Sequence, residues 1–406
     1  MRKKGYRSIE LDSRLERRDF LKIGGGSLLG AGLLLGKPPL FGQEAAKVEP
    51  PAKPKTNIDE ALAVPRTKYS LPGLFPGKVV SVRDEAAMNE KGVDGKVVAA
   101  MFAKGMQGLT GKSLAESFKL FFARNDVVGI KVNPVGAGLI STRLEVVDAI
   151  VAWLRQGGIP AGNIVIWDRF DYMLADAGFT SARYPGIAIE GLQTMDEAAA
   201  EGRSEDDSRW LGKDGRHVSE KNFDLGAYYF ADVDAPKDKP YLNQHVFNGK
   251  HSYFGKLLTQ KLTKIINVPV FKNTGNGVSM ATKNLGYGAI CNTSRLHKPL
   301  FFDVCTEVLA FPAVRDKLVL NVTDGLRAQY DGGPGPLAQA TWFLNTLYFA
   351  TDPFALDMTC HNLIVEKRKE MKVAVNENPK YSEYLRYAQR LGLGVADPAK
   401  ISFTQA

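Results

Sequence analysis

The fold of this 406-residue chain is decided by residues 127–167, which read VVGIKVNPVGAGLISTRLEVVDAIVAWLRQGGIPAGNIVIW. The runs at 127–132 and 163–167 are apolar almost throughout, as strands covered on both faces are. Between them, residues 142–145 (TRLE) have the form of a capping box, and apolar residues recur at helical spacing up to Leu154. Glycines 157–158 and Pro160 end this predicted helix. Strand, helix and strand in this order form a βαβ unit, which predicts parallel pairing.

The same alternation continues along the chain. Further apolar runs of strand length occupy residues 78–83, 264–270, 318–322 and 346–350, and helices are predicted over 353–369 and 381–391. A polar stretch at about 193–259 interrupts the pattern, and we interpret it as an insertion with an antiparallel strand near Tyr228-Tyr229-Phe230. The predicted class is therefore α/β, with a mostly parallel sheet that helices cover on both faces, plus a polar insertion.

The amino-terminal residues 1–46 are interpreted as an export signal. Arg17-Arg18 precede Phe20-Leu21-Lys22 and a short apolar, glycine-rich run at 23–36, an order that resembles a twin-arginine translocation signal. Cleavage after Ala45-Ala46 and retention as an anchor are both open. Residues 47–76 form a Pro-rich linker, and residues 77–406 a single domain. The predicted location is periplasmic or extracytoplasmic, the translocation machinery is a predicted partner, and membrane contact is expected only through an uncleaved signal.

Composition excludes several classes of protein. The chain has 53 Lys+Arg and 44 Asp+Glu, and without residues 1–46 its net charge falls from +9 to about +5. Because no cluster of basic and aromatic residues follows the signal, nucleic-acid binding is not expected. The three cysteines include no CxxC pair, which excludes a disulfide-dense scaffold and a self-contained iron–sulfur cluster.

Charged side chains follow almost every predicted strand. Lys131, Asp168, Lys272, Asp324 and Asp352 each stand at or just after the end of an apolar run. The carboxyl ends of parallel strands share one edge of a sheet, where open α/β proteins bind ligands. A structural ion pair or a polar strand end explains any one of these residues, whereas five together favour a common ligand crevice.

Two functional hypotheses follow for this crevice. In the first, the chain is an exported enzyme or redox-associated protein that binds a small anionic ligand, with Asp324 or Asp352 as the acid/base. A divalent metal is a further candidate there, held by Asp168 and His297. In the second, the chain is a non-catalytic binding or accessory protein of an exported redox complex. The predicted ligand-binding side chains are Lys131, Asn133, Lys272, Asn273, Lys283, Asn284 and Arg327.

Several segments in order resemble the domain of unknown function 362 family. They are KIINVPVFK at 264–272, TKNLG at 282–286, Leu296-His297, VTDG at 322–325 and ATDPFALD at 350–357. The resemblance spans roughly residues 125–365 and implies the fold and the place of the site; the activity of the family is not established. Family members joined to iron–sulfur domains imply a redox association. This chain departs at residues 272–274 (KNT), where many members have Lys-Thr-His, so a candidate ligand histidine is missing.

Overall fold

The structure, a computed structural model, describes residues 53–193, 218–234, 249–375 and 380–406. Residues from Pro54 to Ala406 form one compact unit. The strands are β1 Lys78–Arg83, β2 Met88–Asn89, β3 Gly92–Val93, β4 Val128–Lys131, β5 Ile164–Phe170, β6 Ala188–Gln193, β7 Phe223–Phe230, β8 His251–Gly255, β9 Lys264–Asn267, β10 Val270–Thr274, β11 Gly277–Val278, β12 Leu318–Gln329, β13 Thr341–Ala350 and β14 Ser402–Gln405. The helices are α1 Ile58–Ala63, α2 Gly95–Thr110, α3 Leu114–Phe121, α4 Leu144–Gln156, α5 Asp171–Asp176, α6 Ala281–Gly286, α7 Asp303–Glu307, α8 Pro312–Arg315, α9 Pro353–Glu370 and α10 Lys380–Arg390.

One large sheet organises the unit. Its strand order is β14-β1-β13-β12-β9-β4-β5-β6, and β10 continues β9 beyond Pro269 to pair with the far half of β12. In this sheet β13 and the short β11 run against the other strands, which are all parallel to one another. The predicted mostly parallel α/β fold is therefore confirmed.

Helices cover both faces of the sheet, as the continuous apolar runs predict. In β5, Val165 and Trp167 join a buried cluster that includes residues of α6, α7 and α10. Ile164 and Ile166 point the other way, into a cluster with α2, α3 and α4. Because successive side chains of a strand alternate between faces, a strand with apolar residues at every position needs a helical layer on each side.

Two local predictions around α4 and β12 are wrong. The Thr142 hydroxyl accepts the N–H of Asn133 (2.9 Å) and donates to the carbonyl of Val268 (2.8 Å), so it ties β4 to β9 and does not cap α4. Arg143 is the N-cap residue and makes no side-chain cap. Strand β12 continues to Gln329, so Asp324 lies within the strand and not after its end.

The signal, the Pro-rich segment and the insertion predicted from the sequence are described by the structure to different extents. The predicted signal, residues 1–46, lies outside the described residues. The described part of the Pro-rich segment packs on the domain, because the Arg315 guanidinium donates to the carbonyls of Ala61 and Pro65 (both 3.1 Å). Within the predicted insertion, β7 and β8 form the antiparallel pair expected near Tyr228-Tyr229-Phe230. In the part of the chain that the structure describes, each helix is too short or too polar to span a bilayer.

Candidate functional site

Strands β4, β5 and β10 bring three residues that were predicted for the site to one edge of the sheet, the carboxyl edge. These residues are Lys131, Asp168 and Lys272. Lys131 and Asp168 form a buried ion pair there. The Lys131 ammonium also donates to the carbonyl of Val132 (2.8 Å) and to Asn284 Oδ1 (2.9 Å). Its three N–H groups are therefore all used, and the burial of this charge is compensated.

A chain of amides crosses the sheet beneath this ion pair. Asn284 Nδ2 donates to Asn267 Oδ1 (2.8 Å), and Asn267 Nδ2 donates to Asn321 Oδ1 (2.9 Å). Asn321 in turn donates to the carbonyl of Ala350 (3.3 Å). The asparagines connect α6, β9 and β12 in a fully buried network, so α6 is fixed relative to the carboxyl edge.

Lys272, the middle residue of β10, is the second ammonium at this edge and is completely buried. It donates to Asn133 Oδ1 (3.0 Å) and to the carbonyls of Val135 (3.1 Å) and Ile140 (3.4 Å), in the loop after β4. Burial is the main cause that lowers the pKa of Lys272, to about 7. The Lys283 ammonium adds to this lowering, and Asp168 opposes it.

Lys283 on α6 is the third ammonium and the one with the least compensation. Its Nζ lies 5.0 Å from the centre of the Tyr287 ring and 5.4 Å from that of Phe301. Within the described parts of the chain, no carboxylate and no hydrogen-bond acceptor contacts this Nζ. Burial lowers the pKa of Lys283. An ammonium that faces aromatic rings without a counter-ion is suited to receive an anion.

His297 lies beside Lys283, against the same two rings. Its ring centre is 4.6 Å from that of Tyr287 and 5.7 Å from that of Phe301. Nδ1 is 3.0 Å from the carbonyl of Thr293. Burial, together with the positive charges of Lys283 and Arg169, lowers the pKa of His297 to about 3, so the imidazole is neutral at physiological pH.

Arg169, the last but one residue of β5, adds a further cation that the sequence analysis did not assign to the site. Its guanidinium donates to the Thr293 hydroxyl and, from Nε, to Gln193 Oε1 (2.6 Å). Thr293 therefore connects Arg169 to His297. The sequence feature that could have indicated this role is the position of Arg169 directly after Asp168, at the end of an apolar run.

Asp324 is brought near the carboxyl edge but is not free to act as an acid/base. Its carboxylate accepts the backbone N–H of Arg143 (2.7 Å) and of Leu326 (3.0 Å). Burial raises its pKa. The side chain holds the start of α4 against β12, which is a structural role.

Asp352, the other residue predicted as acid/base, lies at the opposite edge of the sheet. It follows β13, which is antiparallel to β12, and its carboxylate accepts N–H groups of Gly77 (3.1 Å) and Val395 (2.8 Å). It also caps α9 through the N–H groups of Phe354 and Ala355. The prediction that five strand ends share one crevice is therefore wrong for Asp352, because one strand runs the other way.

Two predicted ligand-binding residues are used for internal contacts instead. Asn273 donates to the carbonyl of Gly275 (2.9 Å) and accepts the N–H of Gly333 (3.0 Å), so it ties two glycine-rich loops together. Arg327 donates to the Thr341 hydroxyl (3.0 Å) on the neighbouring strand. Neither side chain contacts the lysines in the described structure, whereas Asn133 and Asn284 do.

The predicted metal ligands do not fit a divalent cation. The Asp168 carboxylate is neutralised by Lys131, and His297 is flanked by Lys283 and Arg169. No group of three His, Cys, Asp or Glu side chains that could hold a metal is found among the described residues. A divalent cation at His297 would meet electrostatic repulsion from Lys283 and Arg169.

Asp357 on α9 positions the helix that carries Lys283, and the sequence analysis gave it no role. Its carboxylate accepts the N–H groups of Ala281 (2.8 Å) and Thr282 (2.9 Å) and the Thr282 hydroxyl (2.6 Å). The partners are 75 and 76 residues away in the chain, so no local spacing could have revealed this cap.

Gly288→Ala is expected to disturb the site, because a Cβ at residue 288 would lie 2.5 Å from Lys131 Cε and 2.3 Å from the Asn284 carbonyl oxygen. We expect a loss of about 1–3 kcal/mol in the free energy of unfolding, measured by urea denaturation. Gly162→Ala is the matched control, since nothing lies within 4 Å of its Cβ position. Equal stability of the two variants would contradict this close packing around Lys131.

Fold and site together define an α/β protein with three lysines gathered at the carboxyl edge of a mostly parallel sheet. Residues 224–362 match the family model described as domain of unknown function (DUF362), which supports the resemblance noted from the motifs. The match contains Lys272, Lys283 and His297 but begins after Lys131 and Asp168. No curated protein and no solved structure matches the chain.

Proposed function

We propose that this chain is an exported protein that binds a small anionic ligand at the carboxyl edge. One observation carries the proposal: Lys131, Lys272 and Lys283 converge there, while Asp168 is the one carboxylate among the described residues that pairs with any of them. The excess positive charge favours an anion, and the low dielectric of the buried edge strengthens the attraction.

The same geometry favours binding over acid/base catalysis by an aspartate. The carboxylates of Asp324 and Asp352 are held by backbone N–H groups, and Asp168 is held by Lys131. A general acid or base must reach the reacting proton, and none of these three groups is free to do so. We therefore favour the non-catalytic binding or accessory protein, which could serve an exported redox complex, over the enzyme.

Export to the periplasm or another extracytoplasmic space is part of the proposal. It is supported by Arg17-Arg18 and the short apolar run that follows. The translocation machinery is then a transient partner, the ligand a small anion, and nucleic acid is not a partner. Membrane contact would occur only through an uncleaved signal.

Lys283→Met is expected to weaken anion binding at least tenfold, because no carboxylate of the described residues contacts this ammonium and its charged hydrogen bond to the ligand would be lost. The measurement is isothermal titration calorimetry of residues 47–406 with sulfate and with phosphate. Lys104→Met, an exposed lysine on α2, is the control and should bind as the unmodified protein does. Saturable binding that survives in Lys283→Met, or its absence from the unmodified protein, would contradict the proposed function.

Sulfate affinity is expected to fall as pH rises from 6 to 8. Lys272 has a pKa lowered to about 7, so it is charged below this pH and neutral above it, and the site loses one positive charge. Loss of one charge near a dianion weakens binding by roughly tenfold. Sulfate keeps its charge throughout this range, and His297, with a pKa of about 3, does not titrate in it.

Lys272→Arg is the test of this assignment, because the guanidinium stays charged up to pH 9 and should make the affinity independent of pH. Lys272→Met should bind sulfate weakly at every pH. A decline that remains in both variants would assign the titration to another group.

A further inference from the structure

We infer that the ligand of this site carries an O–H donor next to its negative charge, and that His297 is the residue that selects it. The preferred class is an anion with its own hydroxyl, such as a protonated phosphate or a hydroxycarboxylate, over an isosteric anion without one. This inference rests on the proposed anion-binding function and makes it more specific.

The tautomer of His297 follows from its hydrogen bond. Nδ1 is 3.0 Å from the Thr293 carbonyl oxygen, which can only accept, so the proton of the neutral ring is on Nδ1. Nε2 then has a lone pair and no proton. In the described structure no donor contacts Nε2, so the imidazole offers an unused hydrogen-bond acceptor.

This acceptor stands beside the Lys283 ammonium, which no carboxylate of the described residues contacts. Lys283 Nζ and the His297 ring both contact the rings of Tyr287 and Phe301, and the positive charge of Lys283 contributes to the lowered pKa of the imidazole. In the proposed complex the anion lies between the Lys283 ammonium and Nε2 of His297. An oxygen that carries a proton gains a hydrogen bond there, whereas a bare anionic oxygen meets a lone pair.

The arrangement of Arg169 and Thr293 keeps the acceptor in this state. Arg169 donates to the Thr293 hydroxyl, while the Thr293 carbonyl receives the Nδ1 proton, so a ring flip would break this hydrogen bond. The nearby guanidinium also disfavours a second proton on the ring. Selection by an acceptor that stays unprotonated is therefore built into the contacts around His297.

The test compares two pairs of probes in calorimetric titrations at pH 7. Phosphate and sulfate are both tetrahedral, but only phosphate carries an O–H; malate and succinate are dicarboxylates that differ by one hydroxyl. We expect the hydroxyl-bearing member of at least one pair to bind ten times more tightly or better. A larger affinity ratio for phosphate over sulfate indicates a phosphate ligand, and a larger ratio for malate over succinate indicates a hydroxycarboxylate.

His297→Phe, which keeps a ring against Tyr287 and Phe301 but has no acceptor, should bring the affinity ratio within each pair close to one. His297→Gln, whose amide can donate or accept, should reduce the ratio and guards against misfolding of the first variant. Equal binding within both pairs, or a preference that persists in both variants, would overturn the role of His297 while leaving anion binding intact. Failure of every probe to bind the unmodified protein would instead overturn the proposed function.

Discussion

Lys131→Met is expected to lower the free energy of unfolding by about 3–5 kcal/mol, because it leaves the buried Asp168 carboxylate without its partner. Both side chains are almost inaccessible to solvent, at 1% and 9%. The change also removes the donor to Asn284 Oδ1, which belongs to the amide chain that fixes α6. Urea denaturation followed by circular dichroism measures the loss.

A double-mutant cycle separates the ion pair from the packing of the lysine stem. Lys131→Met combined with Asp168→Leu removes both charges and should recover part of the stability lost in Lys131→Met alone. Lys250→Met breaks an exposed pair with Asp232 and should unfold almost as the unmodified protein does. A Lys131→Met variant as stable as Lys250→Met would show that the pair does not hold the carboxyl edge together.

The apolar runs made the parallel half of the sheet predictable from sequence. Strands β4, β5 and β9 are buried on both faces, and such a strand is apolar at nearly every position, so its place in a covered sheet can be inferred. The direction of β13 could not be inferred in the same way, since a run of apolar residues has no polarity of its own. The segment between residues 330 and 340 shows no helical pattern, which is the signal that an antiparallel connection was available.

The candidate site was predictable only where it depends on strand ends. Lys131, Asp168 and Lys272 meet because β4, β5 and β10 are parallel. The position of Lys283 instead depends on α6, whose start is capped by Asp357 from α9. The prediction for Asp324 is wrong because a charged residue after an apolar run usually marks the end of a strand, whereas here backbone N–H groups satisfy the carboxylate inside the sheet.

Replacing both Arg17 and Arg18 by lysine is expected to stop export and leave the protein in the cytoplasm. Lysine keeps the charge but not the planar guanidinium, and a receptor that reads the arginine pair should distinguish the two. Cell fractionation and immunoblotting in a bacterial host with the twin-arginine machinery would measure a drop of roughly tenfold or more in the exported fraction. Arg7→Lys/Arg14→Lys is the matched control, because it changes two arginines of the same segment outside the pair.

A variant that destabilises the carboxyl edge should also have a smaller exported fraction. The twin-arginine route carries proteins that are already folded, so the proposed export requires the contacts between Lys131, Asp168 and Asn284 to form before transport. With the signal intact, Lys131→Met should be exported less than the unmodified protein, and the double variant with Asp168→Leu should be exported more than Lys131→Met. A route that threads unfolded chains would transport all three alike, and equal export would therefore argue against the assignment of residues 1–46 as a twin-arginine signal.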